Sequence, residues 1–405
     1  MQFCDPPTSR PASVAAMSDP FADLAARRSH LADDNLLRAF TLVIDQVADG
    51  INLGQGICDL DTPGPLVEGV IDAVSGGDRQ IYTHYSGLPG LKEAIVSKLE
   101  RHNGLSFDLD QVMVTTGSSG AFFTACMVLL DPGDEVILFE PYYSYHRSTL
   151  MLAGAKAVCV PLEPDGTLDL DRLRSAITHR TRAVMVNTPV NPSGKVFGAE
   201  ELEGIGEVLD GTDVFVFTDE VYEYMVFDGR SHVAPASVPS LAHRTLTMNS
   251  FSKTYSITGW RIGFMAGPAG VIASCGRVFD QIDICAPRPM QRGVQRALEQ
   301  LPDSFYTELR DGYQAKRDAM CAALEQAGFT FAVPEGTYYV LADYSQVLGD
   351  IPSDEAVMAM IERIGVNAVP GGVFYEDPSR SRQIRFHFAV TDDVIAEVGE
   401  RVQRL

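Results

Sequence analysis

The sequence predicts an α/β protein with a mostly parallel central sheet, helices on both of its faces, and a smaller α+β lobe built from the two chain ends. Three observations carry this. Apolar, strand-like runs alternate with segments of helical periodicity from about Gln111 to Phe264, as a parallel sheet with crossover helices requires. Three polar residues, Asn187, Asp219 and Lys253, fall at or just after the ends of such runs, where open α/β sheets bind ligands. Short strand-like runs also recur near Tyr338 to Ala342, Val366 to Val369 and Gln383 to Phe388, outside the main alternation.

Composition narrows the choices. A chain of 405 residues, 45% of them hydrophobic, can bury a large core and is expected to divide in two. The expected units are a disordered extension over 1–16, the N-terminal part of a small domain over 17–60, a large domain over 61–295 and the rest of the small domain over 296–405. A net charge of −22 argues against nucleic-acid partners, which need a basic face. Seven scattered cysteines with no CxxC pair suit a reducing, cytoplasmic compartment. The eight histidines show no ligand spacing, so no metal is expected. Met1 to Ala16 lacks the apolar core of a signal peptide, and Met17 is a second candidate start.

In chain order, Asp23 to Ala48 carries apolar residues at helical spacing, including Phe40, Val43 and Val47. Ile51 to Ile57 reads as a short strand that turns on glycine. Leu91 to Leu99 predicts a helix with its charges on the outer face. Val112 to Ala121 is strand, glycine turn, small residues, then helix. Gly117, Ser118 and Ser119 there would offer free backbone N–H groups and hydroxyls to a phosphate. The apolar run Ala121 to Leu130 is too short to span a membrane and reads as a buried helix.

Glu135 to Phe139 is the next strand, leading into Glu140-Pro-Tyr-Tyr-Ser-Tyr145. Thr181 to Val186 is a buried strand, followed by Asn187-Thr-Pro-Val-Asn-Pro-Ser-Gly194, a loop stiffened by prolines from which Asn187 and Asn191 can face a ligand. Val214 to Thr218 leads into Asp219 and Tyr222. An aspartate there caps the next helix or meets a ligand cation. Thr245 to Met248 leads into a hydroxyl-rich stretch holding Ser250, Lys253 and, eight residues on, Arg261. A strand-exit lysine followed by a fixed arginine suits an amine that condenses with the aldehyde of pyridoxal phosphate (PLP) beside a phosphate site. Beyond it, Val271 to Asp283 and Gln291 to Ala327 predict helices, with a proline break at Ala286 to Pro289. Arg385 sits on a strand, where its fork suits a carboxylate.

The Ser250 to Arg261 segment resembles the SxxK…GWR pattern of class I aminotransferases, PLP enzymes of fold type I. Within them the chain looks most like the kynurenine, glutamine and methionine aminotransferase branch, from about Ile51 to the C-terminus. The resemblance adds roles. Lys253 carries PLP, Asp219 keeps its ring nitrogen protonated, and Tyr222 and Asn191 reach its O3′. Ser250 and Arg261 join the glycine-serine turn at the phosphate. Tyr142, the first aromatic after Pro141, stacks on the ring. Tyr82, in Tyr82-Thr-His-Tyr-Ser-Gly87, crosses a homodimer interface to the partner's phosphate. Gly56, Asn191 and Arg385 take the substrate α-carboxylate. Where the family has Pro-Asp after the glycine, this chain has Cys58-Asp59.

The implied activity is transfer of an amino group between an α-amino acid and a 2-oxo acid, with an apolar, aromatic or thioether side chain favoured. A β-eliminating lyase or a cyclising synthase would use the same residues. A non-catalytic PLP sensor is the binding-module alternative.

Overall fold

The computed structural model describes residues 36–58 and 60–405, with Leu37 by its backbone alone. The expected extension over 1–16, the candidate start at Met17 and the first part of the helix expected over Asp23 to Ala48 lie outside the described residues. The described strands are β1 (Ile51–Asn52), β2 (Val112–Thr115), β3 (Glu135–Glu140), β4 (Lys156–Pro161), β5 (Thr181–Asn187), β6 (Phe215–Asp219), β7 (Thr245–Ser250), β8 (Gly263–Ala266), β9 (Tyr339–Asp343), β10 (Val366–Asn367), β11 (Val369–Pro370) and β12 (Gln383–His387).

Seven of them form one sheet in the order β2-β8-β7-β6-β5-β3-β4. Strand β8 runs antiparallel to both of its neighbours, and the β7-β6-β5-β3-β4 pairs are all parallel. Strands β2, β3, β7 and β8 are buried at every position, the pattern of a sheet covered on both faces.

Alternation along each strand sorts the covering helices. Met185 of β5 packs with Ala121, Phe122, Ile272 and Phe279 from helices Gly117–Leu129 and Ala269–Ile282. Its neighbours Val184 and Val186 point the other way, onto Leu202 and Ile205 of helix Ala199–Val208. Helices Pro89–Asn103 and Arg288–Gln300 cover the β2 and β8 end of the sheet.

The chain ends meet in a second core. Strand β1 pairs in parallel with β10, Ile51 opposite Val366, while β11-β12-β9 form an antiparallel sheet. Phe40 and Ile44 of helix Leu36–Ile44 pack there with Met320, Leu324, Ile364 and Val398. The parallel sheet with a smaller α+β lobe is therefore the observed architecture.

Three local expectations change. The tract from Gln291 to Ala327 is two helices, Arg288–Gln300 and Asp303–Gln326, because Pro302 interrupts it. The run Val366 to Val369 serves two sheets, β10 in one and β11 in the other. Lys98, expected on the charged outer face of its helix, is 2% exposed, because Glu223 and Asn103 come to meet its amine.

The pairing that matters for a site is at the carboxyl ends of the central strands. Asn187 of β5 lies opposite Asp219 of β6, and Asp219 lies opposite Met248 of β7. Three loops bearing polar residues thus leave the sheet side by side.

Candidate active site

A cavity of about 230 Å³ opens over those strand ends. Lys253, in the short helix Phe251–Thr254 after β7, reaches into it. Its Nζ donates to the carbonyl oxygen of Gly56 at 2.9 Å, and the hydroxyl of Tyr338 donates to the same oxygen at 2.9 Å. Gly56 has to be glycine for this packing, since a Cβ there would stand 2.1 Å from the Tyr339 hydroxyl oxygen.

Asp219 ends β6 with one carboxylate oxygen occupied and one free. His146 Nε2 lies 3.1 Å from Oδ2, whereas Oδ1 is buried with no hydrogen-bond partner. A buried carboxylate oxygen without a donor is costly, so the site is built to receive one. Asn187 ties the strand ends together: its Nδ2 donates to the Asp219 carbonyl at 2.9 Å and its Oδ1 accepts from the Asn191 N–H at 2.8 Å. Tyr222 donates to the Tyr339 hydroxyl at 3.2 Å, and burial followed by the Tyr339 phenol pushes its pKa upward. It stays a neutral phenol at neutral pH.

Arg385 of β12 is 2% exposed yet meets no carboxylate among the described residues. Nη1 donates to Asn191 Oδ1 and Nη2 to the Gly54 carbonyl, both at 2.8 Å, and Nε has no partner. Its guanidinium centre sits 4.1 Å from the Tyr339 ring centre and 5.2 Å from that of Phe374. Behind it, burial and then the Arg385 charge lower the His387 pKa to about 3, which leaves that ring neutral. An arginine held by neutral acceptors and aromatic faces retains its full charge for an incoming anion.

At the other side of Lys253, helix Gly117–Leu129 begins with Gly117 at φ +75. Arg261 lies against it: Nη2 donates to the Thr116 carbonyl, and a Cβ on Gly117 would come within 2.7 Å of that nitrogen. Ser118, Ser119, Ser250 and Ser252 line the cavity beside this pair, and the Ser250 hydroxyl donates to Ser252 Oγ at 2.8 Å. A helix N-terminus, an arginine and four hydroxyls make an anion site of phosphate type.

The comparisons with known proteins agree with this geometry. The family model for class I and II aminotransferases matches residues 48–402. The chain belongs to the class I and II aminotransferases. It is 37% identical to a probable N-succinyldiaminopimelate aminotransferase of Mycobacterium tuberculosis, covering 88% of this chain and 92% of that one. It is 34% identical to human kynurenine–oxoglutarate transaminase 1, with the same two coverages. The crystal structure of an Escherichia coli protein identified as a methionine aminotransferase superposes with a TM-score of 0.89, at 31% identity, over 94% of this chain and 99% of that one.

This aminotransferase is therefore a PLP enzyme of fold type I. The residues present fit that cofactor: the unpartnered Asp219 oxygen suits a protonated ring nitrogen, the Gly117 and Arg261 corner a phosphate, and the Lys253 amine an aldehyde.

Most of the residues expected from sequence come together. Gly56, Ser118, Ser119, Asn191, Asp219, Tyr222, Ser250, Lys253, Arg261 and Arg385 all line the aminotransferase cavity, and Gly117 supports it from behind Arg261. Two do not line it. Tyr142 points into the core beside Phe122 and Leu138, and Tyr143 faces the cavity in its place. The segment is extended there, with Tyr143 at φ −73 and ψ 118, so adjacent side chains take opposite sides. Tyr82 is 75% exposed and lies outside the cavity.

Sequence reasoning missed His146, whose contact with Asp219 spans 73 positions and leaves no local mark. It also missed Ser252, for which the hydroxyl-rich composition around Lys253 was a signal, and Arg38 at the rim, for which there was none.

Proposed function

We propose that Lys253 binds PLP covalently and acts as the proton carrier of the transamination. The observation that carries this is the placing of its amine in one cavity with the free Asp219 oxygen and the anion-seeking Arg385. PLP supplies an electron-poor ring that takes up the electron pair left when the substrate Cα–H bond breaks. Everything else is done by the chain.

Asp219, steadied by His146, holds positive charge at the ring nitrogen. Arg261 with Ser118, Ser119 and Ser250 takes the phosphate, while Tyr222 and Asn191 donate to the cofactor oxygen O3′. Tyr143 rather than Tyr142 is the ring-stacking candidate in this subunit. Arg385 and Asn191 fix the substrate α-carboxylate, which sets the Cα–H bond in a constant direction. Lys253 Nζ, freed when the substrate's own amine takes its place on the cofactor, would then accept the Cα proton and pass it on rather than give it back to Cα.

The donor substrate we propose is a monocarboxylic amino acid with an apolar, aromatic or thioether side chain. Ile57, Tyr143, Tyr145, Val221 and Tyr339 on the cavity wall support it. His84, Arg147 and Arg288, the cations suggested by sequence for a distal carboxylate, do not line the cavity of this subunit, and Arg288 faces Asp78 at 3.7 Å. Asp283, weighed as a partner for a basic side chain, accepts from Thr116 Oγ1 at 2.5 Å.

Incubating the holoenzyme with a panel of amino acids and 2-oxo acids tests the donor. Phenylalanine, methionine, glutamine or kynurenine should lead. Aspartate or arginine ahead by about tenfold in kcat/KM, about 1.4 kcal/mol in transition-state binding, would overturn the substrate reading.

The working unit we propose is a cytoplasmic homodimer, divided near residues 60 and 295 into small and large domains. Exposed Ile81, Tyr82, Ile282 and Ile284 support a partner face next to the phosphate corner. No described helix is long and apolar enough to cross a membrane. Sedimentation should give a dimer, and Tyr82→Phe should weaken PLP retention. A fully active monomer would contradict it.

A further inference from the structure

Strand β3 leaves the central sheet at Glu140, whose side chain is out of water: the residue is 4% exposed. Glu140 does not line the active-site cavity. It lines a separate groove between the sheet and the smaller lobe, and its carboxylate crosses to that lobe. There Oε1 accepts the backbone N–H of Glu376 at 2.5 Å, and Oε2 stands 3.9 Å from Nη1 of Arg380. Two residues on, the Tyr142 N–H donates to the Phe374 carbonyl at 3.0 Å. Two hydrogen bonds thus fasten the exit of β3 to residues 374–376.

Both sides of this fastening reach the site. On the sheet side, Tyr143 follows Tyr142 and faces the cavity. On the lobe side, Phe374 is fully buried with Leu341 and Val369, and its ring centre lies 5.2 Å from the Arg385 guanidinium. Arg385 has no carboxylate among the described residues to hold it, so its direction depends on Asn191, Gly54 and the faces of Tyr339 and Phe374. A buried carboxylate is a costly way to gain stability, which an apolar side chain can supply as well. As a charged acceptor it fixes one backbone N–H more firmly than a neutral group would.

We propose that Glu140 is a positioning residue for substrate binding: by holding the Glu376 N–H it fixes Phe374, and with it the aromatic face that keeps Arg385 aimed at the α-carboxylate. This rests on the α-carboxylate role proposed for Arg385.

The alternative is a strut that only stiffens the contact between sheet and lobe. Steady-state kinetics of the holoenzyme separates the two. Glu140→Ala should raise KM for amino acids and 2-oxo acids alike by about tenfold while kcat stays within about threefold, as when ground-state binding is lost. PLP retention should not change, because Lys253 and the phosphate corner stand on other elements. Glu140→Gln keeps an acceptor of the same length and should hold KM within about threefold of wild type. If Glu140→Ala does not fold, Glu140→Asp carries the test. It keeps the charge but falls one methylene short of Glu376, and KM should rise as for alanine.

In an Arg385→Ala background, Glu140→Ala should add nothing further to KM, since the group it positions is gone. A lower melting temperature with KM unchanged would overturn the proposal. So would PLP loss in step with the rise in KM, or additive losses in the double variant. Arg385→Ala alone tests the underlying reading. If it left KM unchanged, the α-carboxylate assignment would fall and this proposal with it; if it raised KM for all substrates and Glu140→Ala did not, only this proposal would fall.

Discussion

His146 Nε2 lies 3.1 Å from Asp219 Oδ2, and the other carboxylate oxygen, Oδ1, is buried without a partner. One oxygen is therefore held in place and the other is kept for the ligand. In the proposed reading the ring nitrogen of PLP meets it, and the charge that Asp219 would keep there eases the breaking of the Cα–H bond.

Asp219→Ala should retain PLP through Lys253 and the phosphate corner yet lose about 10²–10³ in kcat, the scale on which preorganised charge acts. His146→Phe should lose less, about tenfold, since it removes only the support. Spectra of the bound cofactor and single-turnover rates check both. Near-normal turnover in Asp219→Ala would show that another group protonates the ring.

Arg385→Ala should raise KM for every amino acid and 2-oxo acid, by the equivalent of about 2–5 kcal/mol, because a buried carboxylate would lose a bidentate partner. Steady-state kinetics on four unlike substrates suffices. An effect confined to one side chain would refute the shared α-carboxylate role.

Much of this site was legible in the sequence because each residue ends a distinct local pattern. Lys253, Asp219 and Asn191 follow apolar strands, and Arg385 interrupts one. What failed was anything decided by the direction of a side chain. Tyr142 and Tyr143 are equivalent in composition, and only the extended turn before helix Ser144–Leu152 decides which one meets the cavity. Lys98 fits a solvated helix face by periodicity, yet Glu223 comes from 125 positions away to bury it. Arg38 lies on a helix whose pattern identifies its core face and says nothing of what its other side overlooks.

Gly56→Ala should damage the site without unfolding the protein. The added Cβ would stand 2.1 Å from the Tyr339 hydroxyl oxygen and 3.0 Å from the carbon that bears it. Relief requires moving Tyr339, which supports Arg385 and Tyr222. An overpacking cost of about 1–3 kcal/mol is expected, with a larger loss in kcat/KM. Adding Tyr339→Phe removes the nearest atom and should recover part of the stability. No recovery would place the strain elsewhere.

Lys98→Met should cost about 3–5 kcal/mol by leaving Glu223 buried and unpaired. Glu223 accepts from Lys98, Asn103 and Asn249, and Asn249 in turn accepts from the Ser250 N–H at the phosphate corner. Burial opposes the Glu223 charge, but the Lys98 ammonium and the hydrogen bonds outweigh it and hold the pKa below the usual 4.5. The stabilisation is therefore complete above about pH 4.5 and is lost as pH falls through the lower folded value. Thermal melts between about pH 3 and 7 should show this acid loss in the wild type and a smaller one in Lys98→Met. Parallel curves would mean the pair contributes nothing to the pH response.

The central claim is that Lys253 is the covalent attachment point of PLP. Borohydride reduction of the native holoenzyme followed by peptide mapping should find the pyridoxyl group on the peptide containing Lys253, with no such adduct in Lys253→Ala. Label on Lys92, Lys195 or any other lysine, with Lys253 unmodified, would contradict the account.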